Sequence, residues 1–167
     1  MIAQGKVLQV LLVDDHPVVR EGLRSMLNSE PGIQVIGEAA SGEEAIAMTN
    51  QLGPDVVLTD IRMPGMSGIE VTRRIKAERP STAVIVLTMY DNEMYVVEAL
   101  RAGAAGYLVK DSSRELLCHA INVVVDGGTM VRSSLLRKAI QGLFRGPRQV
   151  EDGQADSPMI KQLTMRE

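Results

Sequence analysis

The sequence predicts an α/β domain in which a parallel sheet is covered by helices on both faces. Two observations support this fold class. Short apolar runs alternate with segments of helical periodicity, and the runs lack the apolar–polar alternation of a half-exposed sheet. Regular alternation of strands and helices favours a parallel sheet, here over residues 6–128.

The strand-like runs are short and rich in Val, Ile and Leu, as buried strands usually are. They are Val7–Val13, Ile33–Ile36, Val56–Leu58, Ala83–Leu87 and Tyr107–Val109.

The segments between these runs have recognisable helix boundaries. Pro17 suits the first turn of the first helix. Ser41 and Glu44 form a capping-box pattern before the second helix. The third helix, Gly68–Glu78, stops before Pro80. The remaining predicted helices are Asn92–Ala102, a fifth carrying the apolar stripe from Leu117 to Val125, and Ser133–Phe144.

Composition and charge restrict the class of protein. Hydrophobic residues make up 45% of the chain and aromatic residues 2%, so the predicted core is aliphatic. The net charge of −3 gives no general attraction to nucleic acid or to anionic membranes. No apolar run approaches the roughly 18 residues of a membrane helix. No secretory signal is visible, and the lone Cys118 fits a reducing compartment, so we expect a cytoplasmic protein with no membrane partner.

Polar residues follow four of the predicted strands. The pair Asp14 and Asp15 ends the first strand, Asp60 the third, Thr88 the fourth and Lys110 the fifth. Parallel strands end at one edge of the sheet, where open α/β folds bind their ligands. The proline and glycines of the segment MPGMSG then turn the chain away from Asp60 and leave its carboxylate accessible.

Three carboxylates at one sheet edge need positive charge. Two like charges 4 Å apart repel by about 4 kcal/mol at an effective dielectric constant near 20. Lys110 supplies one positive charge, and Mg²⁺ suits a site with few carboxylates. One aspartate could then attack an activated phosphoryl group while Thr88 donates a hydrogen bond to it.

Four motifs carry a family resemblance over about residues 7–128. They are LLVDDHPVVREGL, DVVLTDIRMPGMSGIEV, VIVLTMYD and GAAGYLVKD. In this order they resemble the receiver domain of bacterial two-component response regulators. The first and last are most similar to the NarL/FixJ branch, whose output domain is a LuxR-type helix-turn-helix. The resemblance implies a doubly wound, flavodoxin-like (βα)5 sheet with strand order 2-1-3-4-5 and a C-terminal linker helix.

The resemblance also implies roles for the residues at the sheet edge. Asp60 is expected to be the phosphoacceptor, assisted by Lys110. Asp14, Asp15 and Asp60 are expected to bind Mg²⁺ together with the backbone carbonyl of Arg62.

Further roles concern switching and the lifetime of the phosphoryl group. Thr88 and Tyr107 are expected to be the switch residues. Arg62 and Tyr90 stand two residues after Asp60 and Thr88, and both are expected to cover the phosphoryl group and slow its hydrolysis. The Lys110–Asp111 peptide has an aspartate where many receivers have proline, which leaves its isomer open.

The expected partners follow from the same family. A sensor histidine kinase is expected to donate the phosphoryl group, and phosphorylation is expected to favour a homodimer. Promoter DNA is expected to be contacted only through a C-terminal domain that is largely missing here, so the 167-residue chain should not bind DNA specifically.

The segments after residue 128 are assigned from their composition. Residues 129–145 are predicted as a linker helix, with Leu136, Ile140, Leu143 and Phe144 packing on their own domain, and residues 146–162 as a flexible linker. Residues 163–167, LTMRE, resemble the start of a LuxR-type domain, with Thr164 and Glu167 in a capping-box pattern. We therefore expect a fragment of a longer transcription factor.

Two alternative functions compete with this interpretation. A haloacid-dehalogenase-like phosphatase also uses an aspartate nucleophile and Mg²⁺, but it needs a second aspartate where this chain has Arg62. A pseudo-receiver would act as an interaction module without phosphorylation, but here all the expected acidic, hydroxyl and lysine residues are present. We expect no enzyme activity beyond the chain's own phosphoryl transfer and dephosphorylation. A zinc site at His16 is disfavoured, because no second His or Cys has ligand spacing.

Overall fold

A computed structural model of the chain describes residues 5–89 and 93–145. Tyr90, the predicted flexible linker (146–162) and the LTMRE segment (163–167) lie outside these residues. The elements in chain order are β1 (Leu8–Val13), α1 (Pro17–Asn28), β2 (Ile33–Ala39), α2 (Gly42–Leu52), β3 (Val56–Asp60), α3 (Gly68–Glu78), β4 (Ala83–Thr88), α4 (Glu93–Ala102), β5 (Gly106–Val109), α5 (Arg114–Val125), β6 (Met130–Val131) and α6 (Ser133–Arg145).

The strands form one parallel sheet in the order β2-β1-β3-β4-β5-β6. The predicted flavodoxin-like order 2-1-3-4-5 is confirmed. The prediction lacked β6, in which Met130 and Val131 pair with Gly106 and Tyr107 and add a sixth strand to the sheet. Two residues are too few to show a period, so the sequence pattern assigned them to the linker-helix segment.

Successive residues of the central strands pack on opposite faces of the sheet. Val10 and Leu12 lie in the core cluster that contains α1 and α5 residues. Leu11 and Val13 lie in the cluster with α2 and α3 residues. Both faces are thus covered by helices, and this explains why the strands are apolar at consecutive positions.

Serine side chains cap several helices, as the sequence predicted for α2. Ser41 Oγ accepts a hydrogen bond from the Glu44 amide at 3.2 Å, and the Glu44 carboxylate accepts one from the Ala40 amide at 2.7 Å. Ser67 and Ser113 accept hydrogen bonds from the amides of Glu70 and Leu116 at the starts of α3 and α5. These caps fix where helices begin after the strand ends that carry the polar residues.

Helix α6 packs against α4, and among its described side chains the buried ones are not the predicted Leu136 and Ile140. Leu135 and Ala139 are buried, whereas Leu136 is half-buried and Ile140 is 44% exposed. The predicted buried residues Leu136 and Ile140 were therefore each one position too late, since Leu135 and Ala139 are the buried ones. The small Ala139, which a hydrophobicity pattern underweights, lets the two helices approach closely. The side chains of residues 143–145 are not described, and within the described ranges no helix is long and apolar enough to cross a membrane.

Candidate functional site

The fold brings the predicted polar residues together at the carboxyl edge of the sheet. Asp14 directly follows β1, Asp60 and Thr88 are the last residues of β3 and β4, and Lys110 directly follows β5. Asp14, Asp60 and Thr88 are 2%, 6% and 1% exposed. The four strands that carry or precede these residues and Lys110 are neighbours in the sheet, in the order β1-β3-β4-β5. The convergence expected from the sequence is thus present.

Lys110 connects two of the carboxylates. Its ammonium Nζ lies 2.6 Å from Asp14 Oδ2 and 3.1 Å from Asp60 Oδ2. The Lys110 backbone amide donates to the carbonyl of Thr88 at 2.8 Å, which fixes the start of the β5–α5 loop beside β4. The Lys110–Asp111 peptide bond is trans.

The turn after β3 holds Asp60 in place. The Ile61 amide donates to Asp60 Oδ1 at 2.7 Å, and the Gly68 amide donates to the Ile61 carbonyl at 2.8 Å. A Cβ at Gly68 would lie 1.7 Å from the Asp60 carbonyl oxygen, so only glycine fits at this close approach. The glycine and proline pattern after Asp60 is explained by this return of the chain to the strand end.

The acidic pair after β1 has a contact that the sequence did not reveal. The His16 amide donates to Asp14 Oδ1 at 2.9 Å, and His16 Nδ1 lies 3.0 Å from the same oxygen and 3.2 Å from Asp15 Oδ1. The His16 side chain is 63% exposed at the N-cap of α1. Its adjacency to two aspartates was the only sequence signal for this contact.

Burial and pairing act differently on the two buried aspartates. For Asp60, burial raises the pKa above its ordinary value, and the nearby Lys110 does not fully offset this effect. For Asp14, burial is outweighed by the hydrogen bonds from Lys110 and His16, and the pKa is lowered. Burial disfavours the Lys110 ammonium, but its bonds to both carboxylates outweigh burial and raise its pKa. Lys110 therefore carries its charge at neutral pH.

The residues present fit a divalent cation. Asp14, Asp15, His16 and Asp60 each offer a ligand atom, and these atoms lie within 4.8 Å of one another. Asp15 Oδ1 is buried and accepts no hydrogen bond, although His16 Nδ1 is nearby. Lys110 pairs with two of the three carboxylates, Asp14 and Asp60, and oxygen ligands suit Mg²⁺. The acidic cluster therefore has both the charge and an unused oxygen that such an ion requires.

The other predicted residues lie close to this edge. Arg62 follows β3 by two residues, and its guanidinium donates hydrogen bonds to the Tyr95 hydroxyl of α4. Tyr107 lies in β5 and is 2% exposed. The roles of the Arg62 carbonyl in metal binding and of Thr88 and Tyr107 in switching stay predictions, as does that of Tyr90. Sequence reasoning did not identify Tyr95 as a neighbour of the site.

Comparison with known proteins decides the family. The response regulator receiver domain matches residues 10–122, which include every strand-end residue described above. The chain belongs to this family.

Relatives of this receiver include transcriptional regulators. The chain is 40% identical over 154 residues to the uncharacterized transcriptional regulatory protein YxjL of Bacillus subtilis, covering 92% of this chain and 71% of the relative. It spans 61% of YdfI of Bacillus subtilis and 57% of DegU of Brevibacillus brevis. The chain thus spans a little over half to about seven tenths of the length of these regulators.

Solved structures of receivers agree with the fold. A LuxR-family two-component response regulator from Aurantimonas sp. has a TM-score of 0.76 and 32% identity, covering 83% of this chain and 99% of that protein. The response regulator RcsB in complex with DNA has a TM-score of 0.75 and 29% identity, covering 87% of this chain and 74% of that protein.

Proposed function

We propose that Asp60 of this receiver accepts a phosphoryl group from the phosphohistidine of a sensor histidine kinase and thereby controls transcription. The observation that carries the proposal is the position of Lys110 Nζ between the carboxylates of Asp14 and Asp60. Such a cation at an acidic sheet edge suits a group that gains further negative charge, about −1.5 to −2 for a phosphoryl group.

The chain's own residues account for the transfer. A carboxylate oxygen of Asp60 forms the O–P bond as the N–P bond of the phosphohistidine breaks, so histidine leaves and an acyl phosphate remains. Lys110 then donates to a phosphoryl oxygen, and the Thr88 hydroxyl donates to another. Bound by Asp14, Asp15, Asp60 and the Arg62 carbonyl, Mg²⁺ would supply the remaining positive charge.

The proposed switch uses two buried residues. Thr88 and Tyr107 are 1% and 2% exposed, and they belong to the paired strands β4 and β5. In the proposal, a hydrogen bond from Thr88 to the phosphoryl group draws its side chain toward Asp60. Because Tyr107 is already buried, the effect of phosphorylation is to hold this ring in place and to stabilise one arrangement of α4, β5 and α5.

Transcriptional output is proposed from the relatives. YxjL is named a transcriptional regulatory protein, and the RcsB structure is a complex with DNA. By analogy we assign promoter binding to a LuxR-type output domain in a longer form of the chain, with phosphorylation favouring a homodimer. A kinase partner and DNA target would place the protein in the cytoplasm.

The test is the intact mass of the chain after incubation with acetyl phosphate and Mg²⁺. We expect one added phosphoryl group, which is lost in Asp60→Asn and absent when the metal is chelated. Asp55→Asn is the matched control, since Asp55 precedes β3 at its opposite end, where its carboxylate accepts from the Gln9 amide and approaches Lys6. Uptake by Asp60→Asn at the native rate would overturn the assignment.

The intact-mass experiment and a separate phosphatase assay distinguish the alternatives. A pseudo-receiver gains no phosphoryl group under any of these conditions. A phosphatase releases phosphate catalytically from p-nitrophenyl phosphate, whereas we expect no turnover of this substrate. Arg62 at the second position after Asp60 supports that expectation.

A further inference from the structure

The Arg62 side chain is anchored on α4. Arg62 Nη2 and Nε lie 2.9 and 3.2 Å from the Tyr95 hydroxyl oxygen, and both donate hydrogen bonds to it. The guanidinium carbon is 6.0 Å from the centroid of the Tyr95 ring, within the range of a cation–π contact. A long side chain that begins in an exposed loop is thereby confined instead of moving freely in solvent.

Tyr95 is a rigid support for this contact. It is the third residue of α4 and is 6% exposed. Its ring lies in the core cluster that also contains Ile61, Val86 and Tyr107. A ring packed in this way leaves the position of its hydroxyl little freedom.

The anchored arginine follows the proposed phosphoacceptor closely along the chain. Arg62 is separated from Asp60 only by Ile61, whose amide binds Asp60 Oδ1 and whose side chain is buried in the same cluster as Tyr95. Arg62 is therefore fixed at both ends, through the backbone beside Asp60 and through the guanidinium at the first turn of α4. A guanidinium has five N–H donors in a planar fork, a geometry that matches phosphoryl oxygens.

We propose that Tyr95 is a positioning residue for the acyl phosphate at Asp60. The role rests on the function proposed above. Tyr95 acts through Arg62: its hydroxyl holds the Arg62 guanidinium on the α4 side of the site, where the cation pairs with the phosphoryl group and obstructs the approach of water. Without the hydroxyl, Arg62 gains rotamer freedom and covers the phosphoryl group for a smaller fraction of the time.

The experiment measures the loss of the phosphoryl group from phosphorylated chain by intact mass, after removal of acetyl phosphate. Tyr95→Phe removes the hydroxyl and keeps the ring, and Arg62→Gln removes the cation. Each substitution is expected to speed the loss about three- to tenfold. Because Tyr95 acts only through Arg62, the double variant is expected to lose the group no faster than Arg62→Gln alone.

Arg74→Gln is the matched arginine control. Arg74 is an exposed residue of α3 whose guanidinium pairs with Glu70, and its replacement is expected to leave the rate unchanged. The Nε–H proton of Arg62, followed by NMR in unphosphorylated protein, should exchange faster with water in Tyr95→Phe. This second readout tests the contact without any phosphorylation.

The outcomes separate this role from the proposed function. An unchanged or slower loss in Tyr95→Phe, or effects that multiply in the double variant, would overturn the role of Tyr95 while Asp60 remains the acceptor. Wild-type chain that gains no phosphoryl group overturns the proposed function and this role with it.

Discussion

The Lys110 ammonium lies 2.6 Å from the carboxylate of Asp14, a residue 96 positions earlier in the chain. The contact links the carboxyl ends of β1 and β5, two strands that are separated in the sheet by β3 and β4. With 8% and 3% of their side chains exposed, the two groups form a buried ion pair, and Asp60 shares the same ammonium. Such a pair costs desolvation but is strongly destabilising when one partner is removed.

Removal of the Lys110 charge is therefore expected to destabilise the fold. Lys110→Met keeps the apolar stem and leaves Asp14 and Asp60 without their shared cation, at a cost of about 3 kcal/mol in the free energy of unfolding. Mg²⁺ should restore part of this loss, because it binds the same carboxylates. Urea unfolding with and without Mg²⁺ measures both effects. Lys6→Met, at an exposed ion pair with Asp55, should change stability by less than about 0.5 kcal/mol. Equal losses in the two variants would contradict a special role for Lys110.

The fold was predictable because its signals are long and repeated. Alternating apolar and helix-periodic segments gave the five strands β1 to β5, and the family resemblance gave their order. The β6 strand was missed because Met130–Val131 gains its strand conformation from pairing with β5, which no local pattern encodes. The register of α6 was displaced for a related reason, since contact with α4 selects Leu135 and Ala139.

The site was predictable to the extent that it depends on strand ends. Asp14, Asp60, Thr88 and Lys110 meet because parallel strands share a carboxyl edge. Contacts made by long side chains could not be predicted from the positions of the strand ends. The hydrogen bonds from Arg62 to Tyr95 join residues 33 positions apart and depend on how α4 packs.

The two buried aspartates are expected to affect stability with opposite signs in Mg²⁺-free buffer. The raised pKa of Asp60 means that its ionised form is disfavoured in the folded state. Its contribution is favourable below the unfolded pKa and is lost as pH rises through the folded pKa. Asp60→Asn should therefore be more stable than the native chain at pH 7.

Asp14 provides the matched comparison. Its lowered pKa means that the ionised form stabilises the fold above the unfolded value of 3.8, and that this contribution disappears as pH falls through the folded pKa. Asp14→Asn should be less stable than the native chain at pH 7, and the difference should shrink toward acid pH. Urea titrations at several pH values with a chelator present measure both variants. Stability changes of the same sign at pH 7 would contradict the opposite directions of the two pKa shifts.

Gly68 is expected to tolerate no side chain. In Gly68→Ala the new Cβ would meet the Asp60 carbonyl at 1.7 Å, so the turn and the phosphoacceptor must move. We expect a loss of about 3 kcal/mol in the free energy of unfolding, together with slower phosphoryl uptake. Gly22→Ala in α1 is the control, because a Cβ there would meet nothing within 4 Å beyond the adjacent residues and backbone of its own helix, and this variant should gain about 0.5–1 kcal/mol. A fully stable Gly68→Ala with normal uptake would show that the turn can relax without displacing Asp60.

Helix α6 offers a test of which apolar stripe faces the domain. Leu135 is 7% exposed and lies in the core cluster with Tyr95 and Tyr107, whereas Ile140 is 44% exposed. Leu135→Ala should therefore lower the free energy of unfolding by about 2–3 kcal/mol, and Ile140→Ala by less than about 1 kcal/mol. Hydrogen exchange should show faster exchange along α6 and in the facing part of α4 for Leu135→Ala only, because the two helices pack on each other. The reverse ranking of the two variants would mean that the helix docks through Leu136 and Ile140, as its sequence pattern alone suggests.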